Sequence, residues 1–257
     1  MLTRMSVLLA VVLCAGLGAG PAAGETWDHV HLTVSDTSAA AEWYAKHFDG
    51  EVTKSGPFDA VWFGSNLIKF RRGSAEVLGN AGSAVDHVAF SVEDVQATAD
   101  ALREDGAKVG APNRKTKAVA IATDPWGTKL ELLKDEDLLG FHHIHLKSPY
   151  AAETVEWYTT IFGGEAGSYK NVPNLKAIRY DNMYVIVQSA VREVASTRGR
   201  SVDHLGWRFK DFDATIKRLK ALDVKFVVEP TKSGDHKIAF VEGPDGVKIE
   251  IVEATDE

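Results

Sequence analysis

The residues able to do chemistry in this chain are histidines that recur at one place in a repeated stretch. Asp28-His29-Val30-His31-Leu32-Thr33-Val34 returns as Asp86-His87-Val88-Ala89-Phe90-Ser91-Val92, as His142-His143-Ile144-His145-Leu146-Lys147-Ser148, and as Asp203-His204-Leu205-Gly206-Trp207-Arg208-Phe209. Each copy alternates with period two, so the histidine falls on one face of a strand and the apolar residues on the other. Two glutamates follow the same rule: Glu131 alternates against Leu130 and Leu132, and Glu250 against Ile249 and Ile251. A carboxylate set between core residues loses water and is stable as an anion only when paired or bound to a cation. His29 lies 58 residues before His87, and His143 lies 61 before His204. Each half of the chain thus offers two imidazoles and one carboxylate at similar intervals. Two histidines and one carboxylate on one side of a metal leave positions for substrate, water or dioxygen. Pairing the first repeat with the fourth would supply the same donors, so spacing does not choose between groupings.

The elements that must position these groups also repeat. After each histidine strand comes a polar start and a helical pattern. Trp43, Tyr44 and Phe48 share a face before Gly50; Val95, Ala99 and Leu102 share one before Gly106. Ala151 to Phe162 ends at Gly163-Gly164, and Phe212, Ile216 and Leu219 mark a fourth helix. Short strands follow each helix, as at Ala60–Phe63 with Leu67–Phe70 and at Ala118–Ala122 with Lys129–Leu133. Leu175–Tyr180 with Met183–Val187, and Ile238–Val241 with Lys248–Val252, complete the set. The unit is βαβββ, present four times. An α+β fold follows, with concave mixed sheets lined by polar groups and helices on the convex side. The Trp43/Tyr44 and Trp157/Tyr158 pairs read as helix-to-sheet core.

The chain has 257 residues, a formal charge of -7 and 45% hydrophobic residues. That composition fits a folded chain and argues against a nucleic-acid-binding surface. Arg4, the apolar run Val7–Leu17 and the small residues Ala22-Ala23-Gly24 read as a signal peptide over residues 1–24. The expectation is therefore a periplasmic or secreted protein with no stable membrane anchor after cleavage. Cys14 is the one cysteine, so the mature chain would lack disulfides, thiolate ligands and a cysteine nucleophile.

The fourfold unit, the Asp-His strands and the endings Asp124-Pro125-Trp126-Gly127-Thr128-Lys129-Leu130-Glu131 and Gly243-Pro244-Asp245-Gly246-Val247-Lys248-Ile249-Glu250 resemble the vicinal oxygen chelate superfamily. That family includes glyoxalase I, fosfomycin and bleomycin resistance proteins, and extradiol dioxygenases. The resemblance implies two tandem domains, at 25–134 and 141–257, joined by the linker 135–140. It implies metal ligands at His29, His87 and Glu131 and at His143, His204 and Glu250, with Fe, Mn, Zn, Ni or Co as the divalent ion. Glyoxalase I usually carries a further carboxylate or amide near the positions held here by Lys69 and Val185, which favours a three-ligand site. The catalytic His and Tyr usual in extradiol enzymes are not supplied by Ser189–Asp203 or Ile238–Val241.

The reading that follows is an exported metalloenzyme that chelates two neighbouring oxygens of a small substrate, as lyase, isomerase, transferase or dioxygenase. The alternative is a binding or sequestering protein of the bleomycin-resistance type. His31 and His145 are expected to shuttle protons or to line a wet trough. Lys69 and Arg208 are expected to hold an anionic substrate group, or to be surface charge if the register slips. His142 is out of phase with His143 and is expected to be structural, while His47 and His236 are expected in solvent. A homodimer is compatible with the sequence.

Overall fold

A computed structural model of the chain describes residues 25–73, 77–111, 119–172 and 175–255. The signal-peptide expectation lies outside the described residues. The first module comprises β1 (Glu25–Val34), α1 (Thr37–Phe48), β2 (Glu51–Ser55), β3 (Phe58–Phe63) and β4 (Asn66–Arg72). The second comprises β5 (Val85–Ser91), α2 (Val95–Glu104), β6 (Lys108–Val109), β7 (Val119–Thr123) and β8 (Lys129–Leu133). The third has β9 (Gly140–Ser148), α3 (Ala151–Phe162), β10 (Glu165–Ser168), β11 (Leu175–Arg179) and β12 (Tyr184–Ser189). The fourth has β13 (Val202–Phe209), α4 (Phe212–Ala221), β14 (Phe226–Ser233), β15 (His236–Glu242) and β16 (Lys248–Glu253).

Three helices start where an aspartate satisfies a free backbone N–H: Asp36 accepts from Ala39, Asp94 from Ala97 and Asp211 from Ala214. The apolar stripes behave as the sequence suggests, with Tyr44 and Tyr158 fully buried and Trp43 nearly so. His47 is not in solvent: its ring packs on Trp43 and bonds Asp105 at 2.9 Å.

The modules pair across the halves of the chain. One sheet runs β14-β15-β16-β13-β1-β4-β3-β2 and the other β10-β11-β12-β9-β5-β8-β7-β6. The first module therefore joins the fourth, and the second joins the third, through the antiparallel pairs β1·β13 and β5·β9. Pairing within each half, the simplest reading of the sequence, is not what the chain does. Connection lengths account for this. β8 and β9 flank β5 on either side, a span of about 10 Å that six residues bridge easily. The connections 73–84 and 190–201 are twice as long and carry the chain from one sheet to the other.

The two sheets share one hydrophobic cluster. Phe48 of α1 stacks on Phe90 of β5 at 3.8 Å between centroids, and Phe162 of α3 stacks on Trp207 of β13 at 4.2 Å. Each of these helices, packed on the strands of its own module, thus also reaches the other sheet. Tyr44 Oη also donates to Asp124 Oδ2 at 2.7 Å, tying α1 to the turn before β8.

Asp124 is buried beside that tyrosine. Burial pushes its carboxyl up to about 6, against the hydrogen bonds from Tyr44 and from the Thr128 and Trp126 amides. A raised carboxyl favours the fold while protonated, so its contribution is full below about pH 4 and is lost as pH rises through 6. Asp124→Asn keeps an acceptor for the amides and has no charge to bury. Its stability relative to the parent should rise by about 3 kcal/mol between pH 4 and pH 8, measured by urea unfolding; a pH-independent difference would refute this.

Candidate metal centres

The crossed pairing brings the histidines together in two clusters, each drawing on two modules. His29 and His31 of β1 meet His204 of β13, and Glu250 of β16 lies against His29 and His204. His87 of β5 and Glu131 of β8 meet His143 and His145 of β9. Every metal-site residue expected from sequence is therefore in a cluster, but the grouping differs. His29 sits with His204 and Glu250 rather than with His87 and Glu131, because β1 pairs with β13 and not with β5.

A single backbone device shapes all four histidine strands. Along β1·β13, Trp27 opposes Trp207 and His29 opposes Gly206, so Asp28 is an extra, bulged residue. Further along, His31 opposes His204 and Leu32 opposes Val202, which leaves Asp203 bulged. Along β5·β9 the extra residues are Asp86 and His142. A bulge breaks the period of two, so the residue before each histidine can reach that histidine's ring. Asp28 lies 2.6 Å from His29 Nδ1, Asp86 2.8 Å from His87 Nδ1, and Asp203 2.5 Å from His204 Nδ1. A carboxylate on Nδ1 makes that nitrogen the N–H donor and leaves Nε2 as a bare lone pair aimed into the cluster. In the remaining copy His142 takes the aspartate's place, with its Nδ1 2.8 Å from His143 Nδ1. His142 is thus bonded to the cluster, and the out-of-phase expectation for it holds only without the bulge.

Small residues make room for the rings. His29 lies over Gly206, where an added Cβ would stand 2.4 Å from Cε1 of the ring. His143 lies opposite Ala89 in the same way. The strands β1 and β9 carry a second histidine two residues on, at His31 and His145, where their partner strands carry Gly206 and Ala89.

In the first cluster His29 Nε2 is 3.3 Å from His204 Nε2, and His31 Nδ1 is 3.2 Å from the same atom. Glu250 Oε2 stands 3.1 Å from His29 Nε2 and 3.2 Å from His204 Nε2. Donors held about 2.1 Å from one ion lie roughly 3.0–3.4 Å from one another, so these atoms are spaced as neighbouring ligands. In the second cluster His87 Nε2 is 2.9 Å from Glu131 Oε2. There Nε2 of His143 and of His145 are buried without a hydrogen-bond partner. Such unpartnered nitrogens are costly in an interior, and a cation satisfies them. The residues present fit a divalent metal.

Charge supports the fit. Burial, then the neighbouring imidazoles, holds His31 and His143 well below the usual histidine range and His145 down to about 3. These rings are neutral at neutral pH, the form that binds metal. Burial favours the neutral acid of Glu250, but the adjoining His204 and His29 outweigh it and hold the carboxyl below its usual range.

Lys69 and Arg208 are not free for a substrate anion. Both reach Asp28, Lys69 at 3.8 Å and Arg208 at 2.7 Å. Asp86 is likewise bound by Lys129, and by Lys147 at 3.0 Å; Asp203 by Lys248 at 3.1 Å and Arg71 at 3.0 Å. Each bulged aspartate thus links a cation to an imidazole. Sequence reasoning missed these aspartates, although Asp precedes His in three of four copies. Phe58 and Phe240 were also missed; they stand edge-on to His31 and His204, at 4.6 and 5.1 Å between centroids, and form apolar walls of the first cluster. A cavity of about 630 Å³ lined in part by Phe63, Asn66 and Phe141 shares no lining residue with either cluster.

The architecture is that of glyoxalase I from Zea mays, with a TM-score of 0.72 over 89% of this chain and 92% of that one at 18% identity. A candidate dioxygenase from Bacillus subtilis subsp. subtilis str. 168 aligns with a TM-score of 0.66 over 93% and 87% of the two chains at 14% identity. At these identities the likeness concerns the fold. No curated protein matches the sequence. The family model for the glyoxalase/bleomycin resistance protein/dioxygenase superfamily matches residues 26–132 and 140–251, one βαβββ pair in each. The chain therefore belongs to the glyoxalase/bleomycin resistance protein/dioxygenase superfamily.

Proposed function

We propose that the protein is a metal-dependent enzyme acting on a small molecule with two neighbouring oxygens. The observation that carries this is the convergence of buried imidazole nitrogens and one carboxylate within ligand distance in each cluster. His29, His31, His204 and Glu250 would hold one ion, and His87, His143, His145 and Glu131 the other. His31 and His145, expected as proton shuttles, are better placed as fourth donors. With nitrogen and oxygen donors and no thiolate, Fe, Mn, Zn, Ni or Co would suit either site. A bound ion would supply Lewis-acid activation of the substrate oxygens. The chain's own part is to fix the lone pairs through Asp28, Asp86 and Asp203, and to wall the first site with Phe58 and Phe240.

A binding protein without turnover is the second reading, and one observation favours it. With His31 and His145 inside the clusters and Lys69 and Arg208 engaged by Asp28, the acid–base groups expected from sequence have other work. Incubating metal-loaded protein with catechols, methylglyoxal adducts and fosfomycin separates the two. Product formation that is lost in Glu131→Ala or Glu250→Ala supports the enzyme; tight binding with no product supports the binder.

Metal content tests the sites themselves. The parent should carry about two ions per chain, Glu131→Ala and Glu250→Ala about one each, and the double variant close to none. Gly206→Val should remove the ion of the first cluster alone, because the new side chain occupies the space of the His29 ring. Stoichiometry unchanged across this series would end the metal proposal.

Export belongs to the same proposal. It rests on Arg4, the apolar run Val7–Leu17 and the small residues Ala22-Ala23-Gly24 before Glu25. Protein recovered from the periplasm or medium should have Glu25 as its first residue; full-length chain confined to the cytosol would refute export.

A further inference from the structure

The third copy of the Asp-His bulge is the exception to the pattern. At the bulged position of β9 stands His142, fully buried, and its Nδ1 meets His143 Nδ1 at 2.8 Å. Its other nitrogen, Nε2, lies 3.2 Å from Asp135 Oδ2 in the linker between the second and third modules. Asp135 is itself bonded by Tyr169 Oη at 3.1 Å and Lys170 Nζ at 3.0 Å.

Accepting the metal reading above, we propose that His142 and Asp135 form a two-member relay that positions His143, doing from the linker what one bulged aspartate does in the other three copies. Hydrogen-bond direction leaves one consistent assignment. The Asp135 carboxylate only accepts, so His142 carries its hydrogen on Nε2 and donates there. His142 Nδ1 is then a bare acceptor and requires the hydrogen of His143 on Nδ1. That leaves His143 Nε2, buried and without a partner, as a lone pair toward His87 and His145. Asp135 can serve as the fixed end because it is an anion at neutral pH. Burial favours its neutral acid, yet the bonds from Lys170, His142 and Tyr169 hold it down to about 2.

The inserted ring has a consequence. Three metal-site histidines touch an anion directly, whereas His143 touches a neutral ring and the anion lies one imidazole further off, with 5.1 Å between the two ring centroids. The linker, rather than the strand, thus completes the second cluster, and Lys170 is the cation that the other three copies take from neighbouring strands.

The test uses the full chain carrying His204→Ala and Glu250→Ala, so that only the second cluster can load. In this parent without metal, ¹⁵N NMR should show the His143 ring as the Nδ1–H tautomer, and His142→Leu should abolish that preference. By Co(II) titration, His142→Leu should weaken binding about 10–100-fold. His142→Asp, which restores the repeat's own residue, should bind within a few-fold of the parent. Asp135→Ala should weaken Co(II) binding when His142 is present and have no effect beside His142→Asp, which a merely structural role for Asp135 would not produce. Unchanged affinity in His142→Leu, or an equal loss from Asp135→Ala in both backgrounds, would overturn the relay while leaving the metal site standing. A parent with the Nδ1–H tautomer that binds no Co(II) would overturn the metal reading and the relay's purpose with it.

Discussion

One extra backbone residue before each of four histidines is the constraint on which the rest of this molecule depends. In an unbroken strand, neighbours point to opposite faces, and an aspartate next to a histidine would lie in the core or in solvent. The bulge at Asp28, Asp86, His142 and Asp203 turns that neighbour beside the imidazole. A ring that would otherwise choose between two tautomers then has one. Because the device repeats, each sheet receives two imidazoles of defined polarity, one from each of its modules, and the final strand of the even module adds the carboxylate.

The crossed pairing of modules makes that device productive. Had the modules paired within each half, both histidine-pair strands, β1 and β9, would still have met a strand with one histidine. The fit depends on a small residue facing one ring in each sheet. His29 needs the missing side chain of Gly206, and His143 faces the small Ala89. Along the other diagonal His31 opposes His204 and His87 opposes His145. Two histidines on one strand and one on its partner leave room for a small residue in the fourth corner, and the sequence supplies it in both sheets. Phe48 and Phe162, each packed on the opposite sheet, then make the clusters parts of one folding unit.

Much of this was legible in the sequence. Period-two alternation located the histidine strands, and helical stripes located the four helices to within about two residues. What was not legible had physical causes. The strands β2, β10 and β14 are largely exposed and lack alternation, so no pattern marked them. Module pairing was open because each grouping yields two histidines and a glutamate; it is settled by non-local contacts. The role of Asp28, Asp86 and Asp203 was hidden because alternation, the rule that revealed the histidines, assigns their neighbours to the wrong face. Lys69 and Arg208, expected on a substrate anion or at the surface, reach Asp28, a partner visible only once the bulge is known. His31 and His145 shared the ligand phase, yet distance alone moves them from the trough wall into the cluster.

The charges behind the rings explain why so polar a centre is compatible with a stable fold. An isolated buried aspartate is costly, yet every bulged aspartate here and Asp135 in the linker is met by an imidazole on one side and a lysine or arginine on the other. Burial pulls Asp28, Asp86 and Asp203 toward the neutral acid, but the adjoining histidine and cations overcome it and hold all three below the usual carboxylate range. Groups with depressed values stabilise the fold above the ordinary carboxylate range and lose that contribution as pH falls through it. Their stabilisation is therefore at full strength at neutral pH. The same aspartates that orient the lone pairs also make the charged centre tolerable to the core, so removing one would loosen the ring it holds and strand the cations that neutralise it.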